Sequence, residues 1–409
     1  MFWNNKYPYT DFSQINLDAL AARIAQLKTE KEGFFPDYLN PRDYGAELDG
    51  ETDDTQALQD CLDDAAMRKK AVLINGNIFI SGTITVPSHV RIFGFPCEET
   101  FPRILCGDSV SVAFYCPGVC NTFKDFNIAT HDLAFRDMIA IDMPGNANKD
   151  IDSTVDNITF SYVGTGIRVG GKNVRIIHSM FSHNRYGVYF DLDEGATQYR
   201  GLQVECCEFH GIGEEADLNW FEDSAAIWIQ ENYWSNLTIR NCSCVQGGTF
   251  FEGYATNVLI EGCYVESYKS TPIVWGAAGL GLPNNSSTVL ITGNSFNGKR
   301  GQVSLDPEVS VTYPVHSIEI TASGRIMIAN NVFRFSLEEA IVMDGSNFVG
   351  IIGNAFTAQG MSLANQAAIY CPSCSNISVG GNCTFTAGTD LVTLGSAGLS
   401  YGNNFGFNP

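Results

Sequence analysis

Charge is scarce in this 409-residue chain: Asp, Glu, Lys and Arg together make up 17% of it. Basic residues are scarcer still, 24 Lys and Arg against 45 Asp and Glu, which leaves a net charge of −21. Nucleic-acid binding draws on basic surface that releases counterions from phosphate, so the balance argues against that partner and against an anionic membrane surface. Histidine is rare, with six in the chain, and no Cys-x-x-Cys pair has ligand histidines beside it. Neither a zinc site nor, with an odd 13 cysteines, a dense disulfide framework is expected. No run of about 18 apolar residues offers a membrane span. The opening, Met1-Phe2-Trp3-Asn4-Asn5-Lys6, lacks the basic-then-apolar layout of a secretory leader, so cytoplasmic synthesis and reduced thiols are the expectation. A Ser/His/Asp set, a phosphate-cradling glycine loop and a nucleotide motif are missing too.

What the chain does have is 44% hydrophobic residues, 12% aromatics and 40 glycines. That composition fills a large core interrupted by many turns, which suits strands better than a helical bundle. One short pattern recurs from about residue 155: Val174-Arg175-Ile176, Leu202-Gln203-Val204, Leu237-Thr238-Ile239, Val258-Leu259-Ile260, Val289-Leu290-Ile291, Ile326-Met327-Ile328, Val349-Gly350-Ile351 and Ile377-Ser378-Val379. The steps between them are 28, 35, 21, 31, 37, 23 and 28 residues, as expected of stacked strand coils with loops of different length.

Three residues after each core comes a second column: Ser179, Cys207, Cys242, Cys263, Asn294, Asn331, Asn354 and Asn382. Stacked about 4.8 Å apart, the asparagines should form an amide ladder, and the cysteines a small apolar stack of core residues. Asparagine also tolerates the left-handed backbone of a tight turn, which is expected at these positions. Two residues further on stand Phe181, Phe209, Cys244, Val265, Phe296, Phe333 and Phe356. Outside, Glu205, Arg240 and Glu261 align as a surface ion-pair ladder worth under about 1 kcal/mol per pair.

Three regions divide the chain: 1–36, 37–96 and a body over 97–409. In the first, Leu17, Leu20, Ile24 and Leu27 mark a short α-helix with a coiled-coil seam, serving self-association or packing on the body. In the second, Asp-Tyr-Gly-Ala at 43–46, Asp49-Gly50 and Asp53-Asp54-Thr55 precede an amphipathic helix that Asp53 or Asp54 can cap. That opening resembles pectate-lyase-like β-helix proteins, among them bacteriophage tailspikes and depolymerases. The resemblance implies an all-β, right-handed, single-stranded parallel β-helix of the pectin-lyase-like kind. It further implies a homotrimer in the phage tail virion, made in the host cytoplasm, with residues 1–36 meeting other tail proteins and a bacterial cell-surface polysaccharide as ligand. In this family the acids Asp49, Asp53 and Asp54 shape a turn rather than catalyse. The chain stops at Pro409 soon after the last repeat, which moves the expectation of trimer contacts to Leu17–Leu27.

A second strand column follows in most coils: Gly187–Asp191, Ala226–Gln230, Gly248–Glu252, Pro272–Gly276, Ala340–Asp344 and Ala368–Pro372. Alternation turns Tyr189, Trp228 and Phe250 outward, with Asp191, Gln230 and Glu252 beside them, and the neighbouring inserts add Trp220, Glu231, Tyr233 and Trp234. Rings that stack on sugar faces, next to acids that bond hydroxyls, make this a candidate carbohydrate site. Asp191, Glu231 and Glu252 are the candidate catalytic acids, with Asp191 and Glu252 about 10 Å apart, close to the spacing of an inverting glycosidase. A lyase would need an Arg or Lys base or calcium; otherwise no cofactor or metal is expected. The acidic face favours hydrolysis of a neutral or basic glycan over elimination. The alternative is a non-catalytic glycan-binding or structural virion protein.

Overall fold

The structure, a computed structural model, describes residues 38–96, 100–145, 150–190, 199–213, 224–266, 271–276, 288–298, 316–321, 324–334, 339–357, 367–384, 390–394, 397–402 and 404. The helix expected around Leu17, Leu20, Ile24 and Leu27 lies outside these residues.

Three parallel sheets run the length of the molecule, each coil contributing one strand to each. The first sheet holds the recurring motif. Val174, Leu202, Leu237, Val258, Val289, Ile326, Val349 and Ile377 pair in unbroken register, and all face inward and are buried. The second sheet holds Phe181, Phe209, Cys244, Val265, Phe296, Phe333 and Phe356, again in register. Its rings form two columns. Phe160, Phe181 and Phe209 stack at 4.8 Å, and Phe296, Phe333 and Phe356 at 5.2 and 5.1 Å. The third sheet carries Ile167, Val188, Ile227, Phe251, Ile273, Ile318, Ile341 and Ile369 inward.

The helix Thr55–Arg68 packs Leu58, Cys61, Leu62 and Ala65 against the strands Tyr38–Leu39, Ala71–Ile74 and Ile84–Thr85, which belong to the first two described coils. All three acids around it are structural. Asp49 accepts the N–H groups of Glu51 and Thr52, both at 2.8 Å. Asp53 accepts from the N–H of Thr55 at 3.1 Å and from the hydroxyl of Ser81 at 2.6 Å. Asp54 stands at the N-cap, but its carboxylate turns back to take the N–H groups of Glu47 and Leu48 at 2.8 and 3.0 Å.

The asparagine ladder is present and one rung longer than expected. The backbone N–H and the Nδ2 of Asn294 both donate to Oδ1 of Asn331, at 2.9 and 3.0 Å. Asn331 does the same to Asn354, Asn354 to Asn382, and Asn382 to Asn404. Each Nδ2 also donates to a carbonyl of the preceding coil, that of Ile260, Ile291, Ile328 or Ile351. The cysteines above are more than an apolar stack. The Sγ of Cys207, Cys242 and Cys263 point at the carbonyls of Ile176, Val204 and Ile239, the same column that the amides serve below. The N–H of Cys263 donates to Oδ1 of Asn294 at 2.8 Å, so the two columns are continuous. Burial pushes the Cys106 and Cys244 thiols up to about 12, which leaves them protonated core residues.

The left-handed residue is not the ladder residue but the one before it. His178, Cys206, Asn241, Gly262, Gly293, Asn330, Gly353 and Gly381 have φ from 52° to 70°. The turn into the second sheet is made there, which leaves the next side chain free to point inward.

The expected ion pair between Arg240 and Glu261 forms at 2.9 Å. On the same face Asp156 meets Lys124 at 2.6 Å and His178 at 3.0 Å. Burial pushes the Asp156 carboxyl up, but the hydrogen bonds from Lys124 and His178 outweigh it and hold the group below its ordinary value. A carboxyl depressed in the folded state adds stability above its unfolded pKa of about 4, and that stability is lost as pH falls through the folded pKa. Asp156→Asn should therefore lower the thermal midpoint by a few degrees at neutral pH, and the gap from the parent should close in scans taken at progressively more acid pH, once the folded-state carboxyl is protonated too.

Candidate functional site

Entry into the third sheet breaks the alternation. Two successive residues face inward at this corner: Ala226 and Ile227, Phe250 and Phe251, Ala340 and Ile341, Ala368 and Ile369 are all fully buried. The backbone shares one acceptor there, the N–H groups of Phe250 and Phe251 both donating to the carbonyl of Pro272 at 2.9 and 2.8 Å. Phe250 is therefore a core residue, 0% exposed, and not part of an outer platform. Its strand is also shifted by two from the expected alignment: Trp228 pairs with Glu252, and Ala225 with Thr249.

With that register, one outward column runs along the third sheet. In order it reads Tyr115, Asp142, Arg168, Tyr189, Trp228, Glu252, Val274, Glu319, Val342 and Tyr370. Its centre is aromatic. Tyr186 stacks on Trp228 at 4.8 Å with ring planes 9° apart, and Tyr189 leans on the same indole at 4.9 Å and 51°. The Arg185 guanidinium lies 5.2 Å over the Tyr186 ring. On one side of this cluster Arg168 grips Asp142 in a bidentate pair, Nε to Oδ1 at 2.8 Å and Nη2 to Oδ2 at 2.6 Å. Asp142 is only 1% exposed although it belongs to an outward column, so the guanidinium is its counter-charge. On the other side Glu252 and Glu319 are half-buried and two coils apart, with Val274 between them.

The expected residues divide as follows. Tyr189, Trp228 and Glu252 come together on this face. Asp191 and Trp220 lie outside the described residues. The backbone of Glu231, Tyr233 and Trp234 belongs to the strand Ala225–Arg240, and Trp234 already pairs with Tyr199 and Ala255 in the first sheet; their side chains lie outside the described residues. Glu319, Arg168, Asp142 and Tyr186 were missed. The strand Ile318–Thr321 has only four residues and follows a long insert, yet its Ile-Glu-Ile-Thr alternation marks an outward glutamate. Among the described residues no group of three or more His, Cys, Asp or Glu is placed to hold a metal ion. No described helix is long and apolar enough to cross a membrane.

Over residues 135–313 the chain matches the family model for a right handed beta helix region. No curated protein matches it. Among solved structures, tailspike protein 3 of bacteriophage CBA120 superimposes with a TM-score of 0.58 at 15% identity, the alignment covering 91% of this chain and 58% of that one. This chain thus spans less than two thirds of that tailspike's length. PfbA, a surface adhesin of Streptococcus pneumoniae, gives 0.56 at 17% identity, covering 90% and 92%. The catalytic unit of an α-1,3-glucanase from Streptomyces thermodiastaticus gives 0.52 at 13% identity, covering 91% and 69%. At these identities the likeness is one of fold, and the fold is a tailspike-like right-handed parallel β-helix.

Proposed function

We propose that this right-handed β-helix is a bacteriophage tail appendage whose third-sheet face binds a bacterial surface polysaccharide and hydrolyses it. The observation that carries the reading is the Tyr186–Tyr189–Trp228 cluster with Glu252 in register on the next coil. Aromatic faces hold the apolar side of a sugar ring, and a neighbouring carboxylate bonds its hydroxyls. A fold shared with a phage tailspike, an adhesin and a glucanase is at home in both attachment and glycan cleavage. For the chemistry, Glu252 and Glu319 replace the pairing expected of Asp191 with Glu252. Two coil steps set their backbones about 10 Å apart, and modest leaning of the side chains reaches the roughly 6.5–9.5 Å of an inverting pair. One acid would protonate the leaving oxygen and the other would activate water. The acidic surface disfavours a uronate substrate and with it elimination.

Assembly as a homotrimer, with residues 1–36 attached to other tail proteins, completes the proposal, and a light-scattering mass of the full chain tests it. A binding-only role is the second reading, favoured by the likeness to an adhesin over 92% of its length. Incubation with host-type capsular polysaccharides separates the two. New reducing ends are expected, with Glu252→Gln and Glu319→Gln each lowering their release about 100-fold while binding persists. Trp228→Ala should weaken binding about tenfold, or ~1.4 kcal/mol. A polysaccharide that is held but never cut leaves only the binding role; no binding to any of them removes both.

A further inference from the structure

The chain's one Cys-x-x-Cys spacing is Cys371-Pro372-Ser373-Cys374. It makes the corner from the third sheet to the first, after the strand Ala367–Cys371 and before the strand Ser375–Gly380. Pro372 and Ser373 form a tight turn there. Such a turn holds its first and last Cα atoms within about 7 Å, which overlaps the reach of a disulfide, about 4.4–6.8 Å. Both cysteines are buried, at 0% and 3% exposure, and their side chains are hydrogen-bonded to each other. Ser373, between them, is exposed, so the pair lies directly beneath the surface.

The two sulfurs are not equivalent. Cys371 donates to Cys374, which holds the Cys371 thiol above its ordinary value and that of Cys374 below. The N–H and hydroxyl of Ser346, on the preceding coil, add to the same effect, against burial and the charge of Asp344. As a thiol, Cys374 donates to the carbonyl of Met343 at 3.3 Å. The core cysteines behave differently. Burial alone pushes Cys106 up, and Cys242 and Cys263 are held high although their sulfurs touch across coils. The thiolate is the form that reacts with oxidants, so one sulfur here is poised to react and the other stands ready to displace what it forms.

We propose that Cys371 and Cys374 form a reversible redox site, a dithiol that hydrogen peroxide closes to a disulfide. The Cys374 thiolate attacks one peroxide oxygen, the O–O bond breaks, and a sulfenic acid forms on Cys374. The departing hydroxide takes up the proton that Cys374 gave away and leaves as water. The Cys371 sulfur then displaces the sulfenic oxygen, which leaves as a second water with the Cys371 proton. Two thiols are thereby oxidised to one disulfide and one peroxide is reduced to two waters. The bridge ties the third sheet to the first at this corner. This site is separate from the glycan face and does not depend on it.

The test treats the folded full chain with hydrogen peroxide, alkylates the remaining thiols and maps the peptides by mass. The peptide holding residues 371–374 is expected to lose two hydrogens and escape alkylation at a dose that leaves Cys106 and Cys244 as thiols. A phosphine reductant should restore both of its thiols. Cys371→Ser removes the resolving sulfur, so dimedone should trap the sulfenic acid on Cys374 at least about tenfold faster than any on Cys106. Cys374→Ser should leave Cys371 unreactive. A pair that stays a dithiol until Cys106 and Cys244 react as well overturns the proposal, and so does dimedone labelling of Cys374 no faster than that of Cys106. The first readout uses the unsubstituted chain, so it decides the matter even where a variant fails to fold.

Discussion

Asn354→Ala is expected to destabilise its part of the stack by about 5 kcal/mol. Asn354 is fully buried, and its Oδ1 takes both the backbone N–H and the Nδ2 of Asn331, at 2.9 and 3.1 Å. Its own Nδ2 serves the carbonyl of Ile328 at 2.9 Å and the next rung at 3.0 Å. Alanine leaves two buried donors and a buried carbonyl without partners, each costing about 1–3 kcal/mol, and opens a cavity besides. Coils contact only their neighbours, so the loss should be read locally, as faster hydrogen exchange between about residues 326 and 384, together with a lower thermal midpoint. Ser378→Ala, on the exposed side of the first sheet, is the control and should stay within about 0.5 kcal/mol of the parent. Asn354→Cys should cost less than Asn354→Ala, because Cys207, Cys242 and Cys263 already serve the same carbonyl column with a thiol. An alanine variant as stable as the parent would mean that the ladder is incidental to the fold.

Arg168→Ala should cost about 3–5 kcal/mol, because it strands the Asp142 carboxylate at 1% exposure with no counter-charge. The pair as a whole contributes much less than this, since bringing both charges out of water offsets most of their attraction. Replacing both partners, Asp142→Leu with Arg168→Met, should therefore recover most of what the single change loses. The double-mutant cycle is measured by denaturant unfolding. If the double variant is as unstable as Arg168→Ala alone, the pair is not acting as a unit. The same experiment bears on the candidate site, because Arg168 lies next to Tyr189 in the column, and loss of its grip should loosen the platform as well.

The inner columns could be read in the sequence because the core leaves them little choice. Each inward position of the first and second sheets stacks on its equivalent above and below, so Val, Ile, Phe and Asn recur at fixed offsets whatever the loop length. Outward positions meet solvent and carry no such repetition, so the sequence says less about them. Strict alternation puts Phe250 outside because it ignores the corner, where Phe250 and Phe251 both turn in. Glu319 gives a weak signal because its strand is short and stands apart from its neighbours in sequence. Asparagine's tolerance of a left-handed backbone points to the ladder positions themselves. The structure gives it to the preceding residue, which in four of the eight turns is a glycine: Gly262, Gly293, Gly353 and Gly381. Asp142 and Arg168 gave no signal at all, because a pair joined across 26 residues by the stacking of coils has no sequence pattern of its own.

The side-chain amides of the ladder all face one way, Asn294 to Asn382 each donating forward and Asn331 to Asn404 each accepting from behind. Their dipoles lie head to tail, so each bond polarises the next, and turning over one amide would set donor against donor and oxygen against oxygen. No rung can choose its orientation alone. The column has the character of an aligned domain in a polar crystal, in which one coil fixes the sense of all the others, and the C-terminal half of the molecule acquires an electrical direction that its sequence never states.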